Sequence, residues 1–351
     1  MKKWLKLILL LYTFIFSIEL IKKSILFLAP SIKDFLLNNL TPIKAISTGW
    51  FATSIVQSSG AVDTVTATLA GNGLINLNIS VYMIIGAALG TTITALIIAL
   101  ITVSQKRKDF RHGFEIGLYY TIYVALMVLI VSFLEFFFKA FSRSSLFLAQ
   151  QLEDKVPLIA VPNFIEAITS PIIDPLFNAS NKIFLIVLAF AILILSLKYI
   201  GKAVIEVFGG EEDAIAFINR HFDSKYKAYF IGVGLTAIVF SSSITISLLV
   251  PLAVARLISL RKAIPFILGA DLGTFTDLFL ASLIIGKTSA LAVAIISFLF
   301  AILGTLLFLP NIEPMYRLTK RFSKGILQIS RKKALYFLIA FILIPLLIII
   351  I

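Results

Sequence analysis

Residues 45–70 carry Thr48, Gly49, Thr53, Ser54, Gln57, Ser58, Ser59, Gly60, Asp63, Thr64, Thr66 and Thr68 in an otherwise apolar stretch. Hydroxyls, an amide and a carboxylate at that density can solvate an ion. They cannot face lipid, because an aspartate at the centre of a spanning helix costs about 2.5–3.5 kcal/mol on insertion scales. These side chains must face protein or water. Gln57-Ser58-Ser59-Gly60 predicts a helix break, since glycine frees the backbone and serine caps the next helix start. A break at membrane depth offers N–H donors from one half-helix and C=O acceptors from the other. Donors with hydroxyls suit an anion; carbonyls with carboxylates suit Na⁺.

The pattern occurs twice. Phe240-Ser241-Ser242-Ser243 stands opposite Gln57-Ser58-Ser59-Gly60, and Gly269-Ala270-Asp271-Leu272-Gly273-Thr274 opposite Gly86-Ala87-Ala88-Leu89-Gly90-Thr91. Both pairs, and Thr53 with Thr236, share one offset of 183 residues (57 to 240, 86 to 269). Two separated motifs recurring without a gap indicate duplication. Each piece alone has a plainer reading. The glycine pairs fit small-xxx-small helix packing, serine clusters hydrogen-bond to neighbours, and Asp277, at the place of Thr94, lines a wet cavity. Glu19, Glu115 and Glu135 sit near span ends, where snorkelling or loop contact accounts for them. The constellation at a fixed offset is what points to a site. No Lys or Arg lies between Ala45 and Gln105, so an anion there needs hydroxyls, helix termini and co-bound cations. Asp63 and Asp271 each need a cation or a proton beside them. A cotransporter supplies one.

The elements that position these residues are membrane helices. Of 351 residues 60% are hydrophobic and 14% charged, against about a quarter charged in soluble domains. Apolar runs of spanning length recur, and unpaired backbone is not tolerated in lipid, so the runs must be helices. Candidate spans are 4–28, 80–102, 113–139, 182–201, 263–286, 288–309 and 333–351, with re-entrant hairpins expected at 45–70 and 228–255. The segments 80–102 and 263–286 are expected to be discontinuous. The first segment, with Lys2 and Lys3, has no small-x-small cleavage pattern after it and reads as a true span.

The fold expected is thus an all-α polytopic membrane protein. Repeat 1 covers 1–141, a proline-containing extracytoplasmic linker 142–181, repeat 2 182–310, and a basic loop with one extra C-terminal span 311–351. Placing the basic clusters at 106–111 and 317–333 in the cytoplasm puts the N-terminus inside as well. Each repeat then has three full crossings, so the second lies inverted relative to the first. Lys22, Lys23, Lys33 and Lys44 fit poorly, since they fall outside. The chain is expected in the cell membrane, and the sequence leaves room for an oligomer.

The net charge of +13 follows from topology-setting loops, and no basic face with interleaved aromatics invites nucleic acid. There is no cysteine, and the two histidines, His112 and His221, lie in charged loops. Thiolate chemistry and a histidine base in the membrane are thereby excluded. A serine hydrolase lacks an activating base, a nearby lysine and a Gly-x-Ser-x-Gly elbow. An enzyme is not expected. The alternatives on the same fold are a cation-coupled transporter of another anion, and a channel or a scaffold that has lost transport.

At these residues the sequence resembles the type II sodium–phosphate cotransporter family, with its T-x-x-x-Q-S-S-S hairpin and downstream G-A-N-x-G-T-T helix in each repeat. The first copy reads Thr53-Ser-Ile-Val-Gln57-Ser58-Ser59, then Gly86-Ala-Ala-Leu-Gly90-Thr91-Thr92; the second reads Thr236-Ala-Ile-Val-Phe240-Ser241-Ser242-Ser243, then Gly269-Ala-Asp271-Leu-Gly273-Thr274. The similarity covers roughly 5–140 and 184–305. It is to bacterial-type members, with a span at 333–351 where many carry a regulatory domain. The resemblance implies electrochemically driven uptake of inorganic phosphate with Na⁺. Gln57, Ser58, Ser59, Ser241, Ser242 and Ser243 would bind phosphate and Na⁺ jointly, helped by Thr91, Thr92 and Thr274. The Na⁺ candidates are Asp63, Asp271, Gln57, Thr53, Thr236 and Ser243. The sequence departs from the family pattern at Gly60, Phe240, Ala88 and Asp271. Asp63 is an added carboxylate, and Tyr120 and Val124 stand where His and Asn are often found.

Overall fold

The structure is a computed structural model describing residues 2–101, 107–153, 155, 160–207, 210, 213, 216, 222, 224–326 and 331–351. Among these no strand occurs. Lys106 of the basic cluster 106–111 and His221 lie outside the described residues.

Among the described residues, five helical stretches are long and apolar enough to cross a membrane: Leu77–Leu100, Phe110–Phe138, Leu260–Ile285, Thr288–Phe308 and Lys332–Ile350. They match the spans expected at 80–102, 113–139, 263–286, 288–309 and 333–351. The first is central, 72% buried, and the last peripheral, 22% buried. Where 4–28 was expected, one continuous helix α1 runs Lys2–Asn39 and packs against α9, Lys182–Val207. The misfit of basic residues around it has a partial answer. Lys22 pairs with Glu19 at 2.9 Å, and Lys23 pairs with Asp174 on α8, Ala160–Ala179.

The first Ser-rich stretch is two helices, α2 (Pro42–Val56) and α3 (Ser59–Gly71), followed by α4 (Leu77–Thr91) and α5 (Ile93–Ile101). After α6 (Arg107–Phe138), α7 (Ala140–Glu153) and α8 occupy the stretch 142–181. In the second half α10 (Lys225–Val239), α11 (Ser242–Ser247) and α12 (Leu249–Val254) correspond to α2 and α3. Next come α13 (Leu260–Gly273), α14 (Phe275–Ile285) and α15 (Thr288–Phe308), at the places of α4, α5 and α6. α16 (Ile312–Arg321), a π-helical turn Phe322–Ile326 and α17 (Arg331–Ile350) close the chain.

The packing repeats at the same offset. α2 packs on α4, and α10 on α13, through glycines that let backbones touch. A β-carbon on Gly86 would stand 2.0 Å from the Ile46 carbonyl oxygen, and one on Gly269 2.0 Å from that of Tyr229. Gly49 faces the Met83 carbonyl and Gly232 the Phe266 carbonyl, at 2.1 and 2.2 Å. Every partner is displaced by 183 residues (46 to 229, 83 to 266). The plain packing reading of Gly86 and Gly269 is therefore correct, and it is what sets the site. Gly49 was noted only as part of the polar stretch 45–70, and Gly232 was not singled out in the sequence.

The helix that follows each break packs against the other half of the chain. α3 packs on α14 and α15, while α11 and α12 pack on α5 and α6. The helices expected to be discontinuous are interrupted less than foreseen. Thr92 and Thr274 keep helical dihedrals, φ −64° and −63°. Their hydroxyls donate back to the Leu89 and Ala270 carbonyls at 2.8 and 3.1 Å. Such back-bonding bends a helix without opening it.

The buried glutamates are structural. Glu135 Oε2 accepts from the amides of Phe141 and Ser142 at 2.9 and 3.1 Å, capping α7 beyond the left-handed Lys139. Glu115, fully buried on α6, accepts from Ser323 Oγ at 2.6 Å and pairs with Lys320, tying α6 to α16 and the π turn.

Candidate functional site

The two chain breaks share one geometry. α2 ends at Gln57, with φ 56° and ψ 31°, and α10 ends at Phe240, with φ 56° and ψ 29°. Their amides still reach the Thr53 and Thr236 carbonyls at 2.7 and 2.8 Å. Serine restarts the helix each time. Ser58 Oγ accepts from the Ala61 amide at 3.3 Å, and Ser241 Oγ from the Ile244 amide at 3.2 Å. The expected serine cap is present, but Gly60 is not the residue that frees the backbone. An extended N-cap places the left-handed step just before it, on Gln57, and Gly60 falls in the first turn of α3. A non-glycine in this conformation costs about 1–3 kcal/mol, and here it occurs twice at matching positions.

The breaks deliver their second arms to one cavity. It measures about 20 Å³, room for about one water-sized occupant, and is lined by Ser59, Asp63, Ala88, Tyr120, Ser242, Asp271 and Thr274, with Ile84, Ser297, Phe300 and Ala301. Ser59 and Ser242 are a matched pair, as are Ala88 and Asp271. No basic side chain lines the cavity. Asp271 is held by two phenols of α6, accepting from Tyr123 Oη at 2.7 Å and Tyr120 Oη at 3.3 Å. Gly304 makes the first of these contacts sterically feasible, since a β-carbon there would stand 2.2 Å from Tyr123 Oη. Asp63 is buried, and its Oδ1 has no hydrogen-bond partner among the described residues.

Of the residues singled out in the sequence, Ser59, Ser242, Thr274, Asp63 and Asp271 meet at this cavity. Ser58 and Ser241 are half-buried and cap their helices. Ser243 is buried in α11. Thr53 and Thr236 are buried against Gly90 and Gly273, their hydroxyls without partners among the described residues, as is that of Thr91. Thr92 accepts from Thr121 Oγ1 at 3.0 Å. Gln57 is exposed and outside the cavity lining. Asp277 accepts from the Leu278 amide at 2.7 Å and, like Asp271, acts electrostatically on Asp63. Tyr123 and Ser297 were missed. Three tyrosines within five residues in mid-span, Tyr119, Tyr120 and Tyr123, were the available signal, because a buried phenol needs a partner.

A family model describing Na⁺/Pi-cotransporters matches residues 13–150 and 192–322, so both halves of the site fall within it. The chain belongs to the Na⁺/Pi-cotransporter family. Among its relatives, sodium-dependent phosphate transport protein 2B of Bos taurus is 36% identical over 188 residues, 48% of this chain and 27% of that protein. The Homo sapiens protein of the same name is 40% identical over 128 residues, 34% and 18% of the two chains. Sodium-dependent phosphate transport protein 2C of Rattus norvegicus is 36% identical over 128 residues, 35% and 21%. The matched stretches thus span about a quarter or less of these relatives' length. No solved structure matches the chain.

Proposed function

We propose that the chain is a Na⁺-coupled symporter of inorganic phosphate or a related small oxyanion, working by alternating access. One observation carries the reading: Ser59 and Ser242, each one residue beyond a matched helix break, line a single cavity with Asp63 and Asp271. Family membership supports it, as do the sodium-dependent phosphate transport proteins among the relatives.

The division of labour follows from the donors. Hydroxyls and first-turn amides of α3 and α11 favour an anion. The Asp63 carboxylate, with no basic partner among the described residues, favours a cation, as do the Thr53 and Thr236 hydroxyls, likewise without partners among them. All these donors are hard oxygens, and no group of three or more His, Cys, Asp or Glu able to hold a metal occurs among the described residues. That set suits Na⁺ better than a divalent ion. Gln57, Ser58, Ser241, Ser243, Thr91 and Thr92 join the site when the hairpins move. The cavity is too narrow for a tetrahedral oxyanion, so this is a closed form that opens to load.

The reciprocal packing supports two inverted repeats with re-entrant hairpins. An N-terminus in the cytoplasm of a cell-membrane protein satisfies the basic loops. Opening then exchanges one hairpin's exposure for the other's.

Protein in liposomes takes up ³²P-phosphate under an inward Na⁺ gradient and not under a choline gradient of equal size. Na⁺-independent, unsaturable flux would identify a channel and overturn the symport reading. A second cargo is favoured by one feature, Phe240 at the place of Gln57, which deprives the second break of an amide. Saturable Na⁺-driven uptake of another oxyanion, with phosphate inert, would select it.

A further inference from the structure

A basic concavity lies away from the proposed transport cavity. Ser224, Lys225 and Ala228 of α10, Arg261, Lys262 and Pro265 of α13, and Pro310, Ile312 and Glu313 before and in α16 line a groove of about 380 Å³, floored by Phe222. Its position relative to a bilayer is set by its own residues. Leu260 begins one membrane-length helix and Phe308 ends another, so the groove opens where apolar helix gives way to charged chain.

Its charge is unbalanced. Arg261 is held by Glu313, with Nε and Nη2 each 3.0 Å from a carboxylate oxygen, and lies 4.8 Å above the Tyr316 ring. Glu313 is thereby engaged, with Arg317 also 3.9 Å away. Lys225 and Lys262 are exposed, and among the described lining residues the one carboxylate is Glu313, already held by Arg261. Ser224, the N-cap of α10, makes no side-chain cap bond, and its residue lines the groove. The remaining lining is apolar: Phe222, Ala228, Pro265, Pro310 and Ile312. Tyr226 and Phe230, exposed on the same helix, supply an aromatic and apolar flank of the kind found at the headgroup level.

We propose that this groove binds the headgroup of an anionic glycerophospholipid. The phosphodiester sits between Lys225 and Lys262, with Arg261 fixed behind them, and the glycerol and first acyl carbons lie on the apolar floor. Charge complementarity selects this occupant. Basic pockets between spanning helices at the membrane boundary take such headgroups, and the volume falls within the range of small-molecule sites. A free phosphate would satisfy the lysines but leave the apolar floor wet. The proposal needs only that the helices span; it does not depend on what the central cavity transports.

The test uses the full chain in detergent. Native mass spectrometry and thermal unfolding are followed as phosphatidylglycerol, phosphatidylcholine or inorganic phosphate is added, for wild type and Lys225→Gln/Lys262→Gln. Both lysines are exposed, so the double variant folds; its unfolding midpoint without lipid checks this. Wild type should retain phosphatidylglycerol and be stabilised by it far more than by phosphatidylcholine. The double variant should bind it about thirty-fold more weakly, at about fivefold per lysine near a membrane surface. Equal retention of both lipids, or unchanged phosphatidylglycerol affinity in the double variant, would overturn the proposal. So would stabilisation by inorganic phosphate that the double variant alone loses, since the groove would then be a soluble-anion site. Because the readout is lipid retention, failure of ³²P uptake leaves the result unaffected.

Discussion

Asp63→Asn separates the roles of charge and shape at the proposed transport cavity. The aspartate is 5% exposed, and Oδ1 has no partner among the described residues. Asp271 and Asp277 add repulsion, and the cavity offers no basic side chain. A carboxylate so placed destabilises the ion-free protein and attracts a cation. Asparagine keeps the volume and one carbonyl oxygen but removes the charge. A cation about 4 Å from a carboxylate gains about 4 kcal/mol at an effective dielectric near 20. Losing that gain weakens Na⁺ binding by up to about 10³-fold. The same substitution relieves repulsion, so the Na⁺-free protein should melt higher than wild type. Two measurements are needed: the Na⁺ dependence of ³²P uptake in proteoliposomes, and unfolding in choline against Na⁺ buffer. The expected result is a raised midpoint in choline, a smaller Na⁺-induced increase, and uptake shifted to much higher Na⁺. Wild-type Na⁺ activation together with an unchanged choline midpoint would refute the assignment of Asp63 to a cation.

Gly86→Ala and Gly269→Ala should each destabilise by at least about 1–3 kcal/mol, the usual cost of overpacking, because each β-carbon meets a carbonyl oxygen at 2.0 Å. Matched losses in thermal unfolding are expected, and a large effect at only one glycine contradicts equivalent packing. Tyr123→Phe removes the 2.7 Å bond to Asp271; a hydrogen bond to a charged acceptor is worth about 1.5–3 kcal/mol. Its unfolding midpoint should drop and its Na⁺ dependence should change, whereas Tyr119→Phe, at a hydroxyl without a partner among the described residues, should leave Na⁺ dependence alone. Glu115→Gln breaks a buried ion pair with Lys320, a loss of about 3–5 kcal/mol, detectable as early protease cleavage in the basic segment 317–333. Ser58→Ala and Ser241→Ala each remove an N-cap worth about 1 kcal/mol, with uptake falling further than stability if the breaks hold the anion.

The long spans were legible because a run of 18 or more apolar residues has few alternatives, and their ends fall within a few residues of those expected. The repeat was legible because two motifs kept one spacing. The end of α1 was not: Lys22, Lys23 and Asp34 interrupt hydropathy without interrupting hydrogen bonding, and the helix runs on to Asn39. Serine capping could be read locally, since it is chemistry between a residue and an amide three positions on. The left-handed step could not, because neither Gln57 nor Phe240 belongs to a type that favours it. The tyrosine clasp on Asp271 joins residues 148 and 151 apart in sequence, beyond any local pattern.

Comparing the two halves position by position shows what each kind of residue is for. Many of the positions that stay identical at the 183-residue offset are geometric: Gly49 and Gly232, Gly86 and Gly269, Gly90 and Gly273, the capping serines 58 and 241, and the threonines 53 and 236, whereas Ser59 and Ser242, also identical, both line the cavity. Changing any of the geometric positions moves a backbone, because each sits at a carbonyl contact, a cap or the turn before a break. Four of the positions that differ carry charge or amide in one half alone: Asp63 against Ile246, Ala88 against Asp271, Thr94 against Asp277, Gln57 against Phe240. Ala88 and Asp271 both reach the cavity, from matched helices, and only one is ionisable. A symmetric frame therefore encloses an asymmetric field. On the proposed reading, repeat 1 supplies the carboxylate whose Oδ1 has no hydrogen-bond partner among the described residues, and repeat 2 the one clasped by phenols. Transplanting the asymmetry tests this: Ala88→Asp with Asp271→Ala keeps the number of carboxylates but strips away the clasp. If the frame alone governed coupling, the swap would be silent. The geometry instead requires Na⁺ dependence to change, because Tyr120 and Tyr123 reach only the second-repeat position.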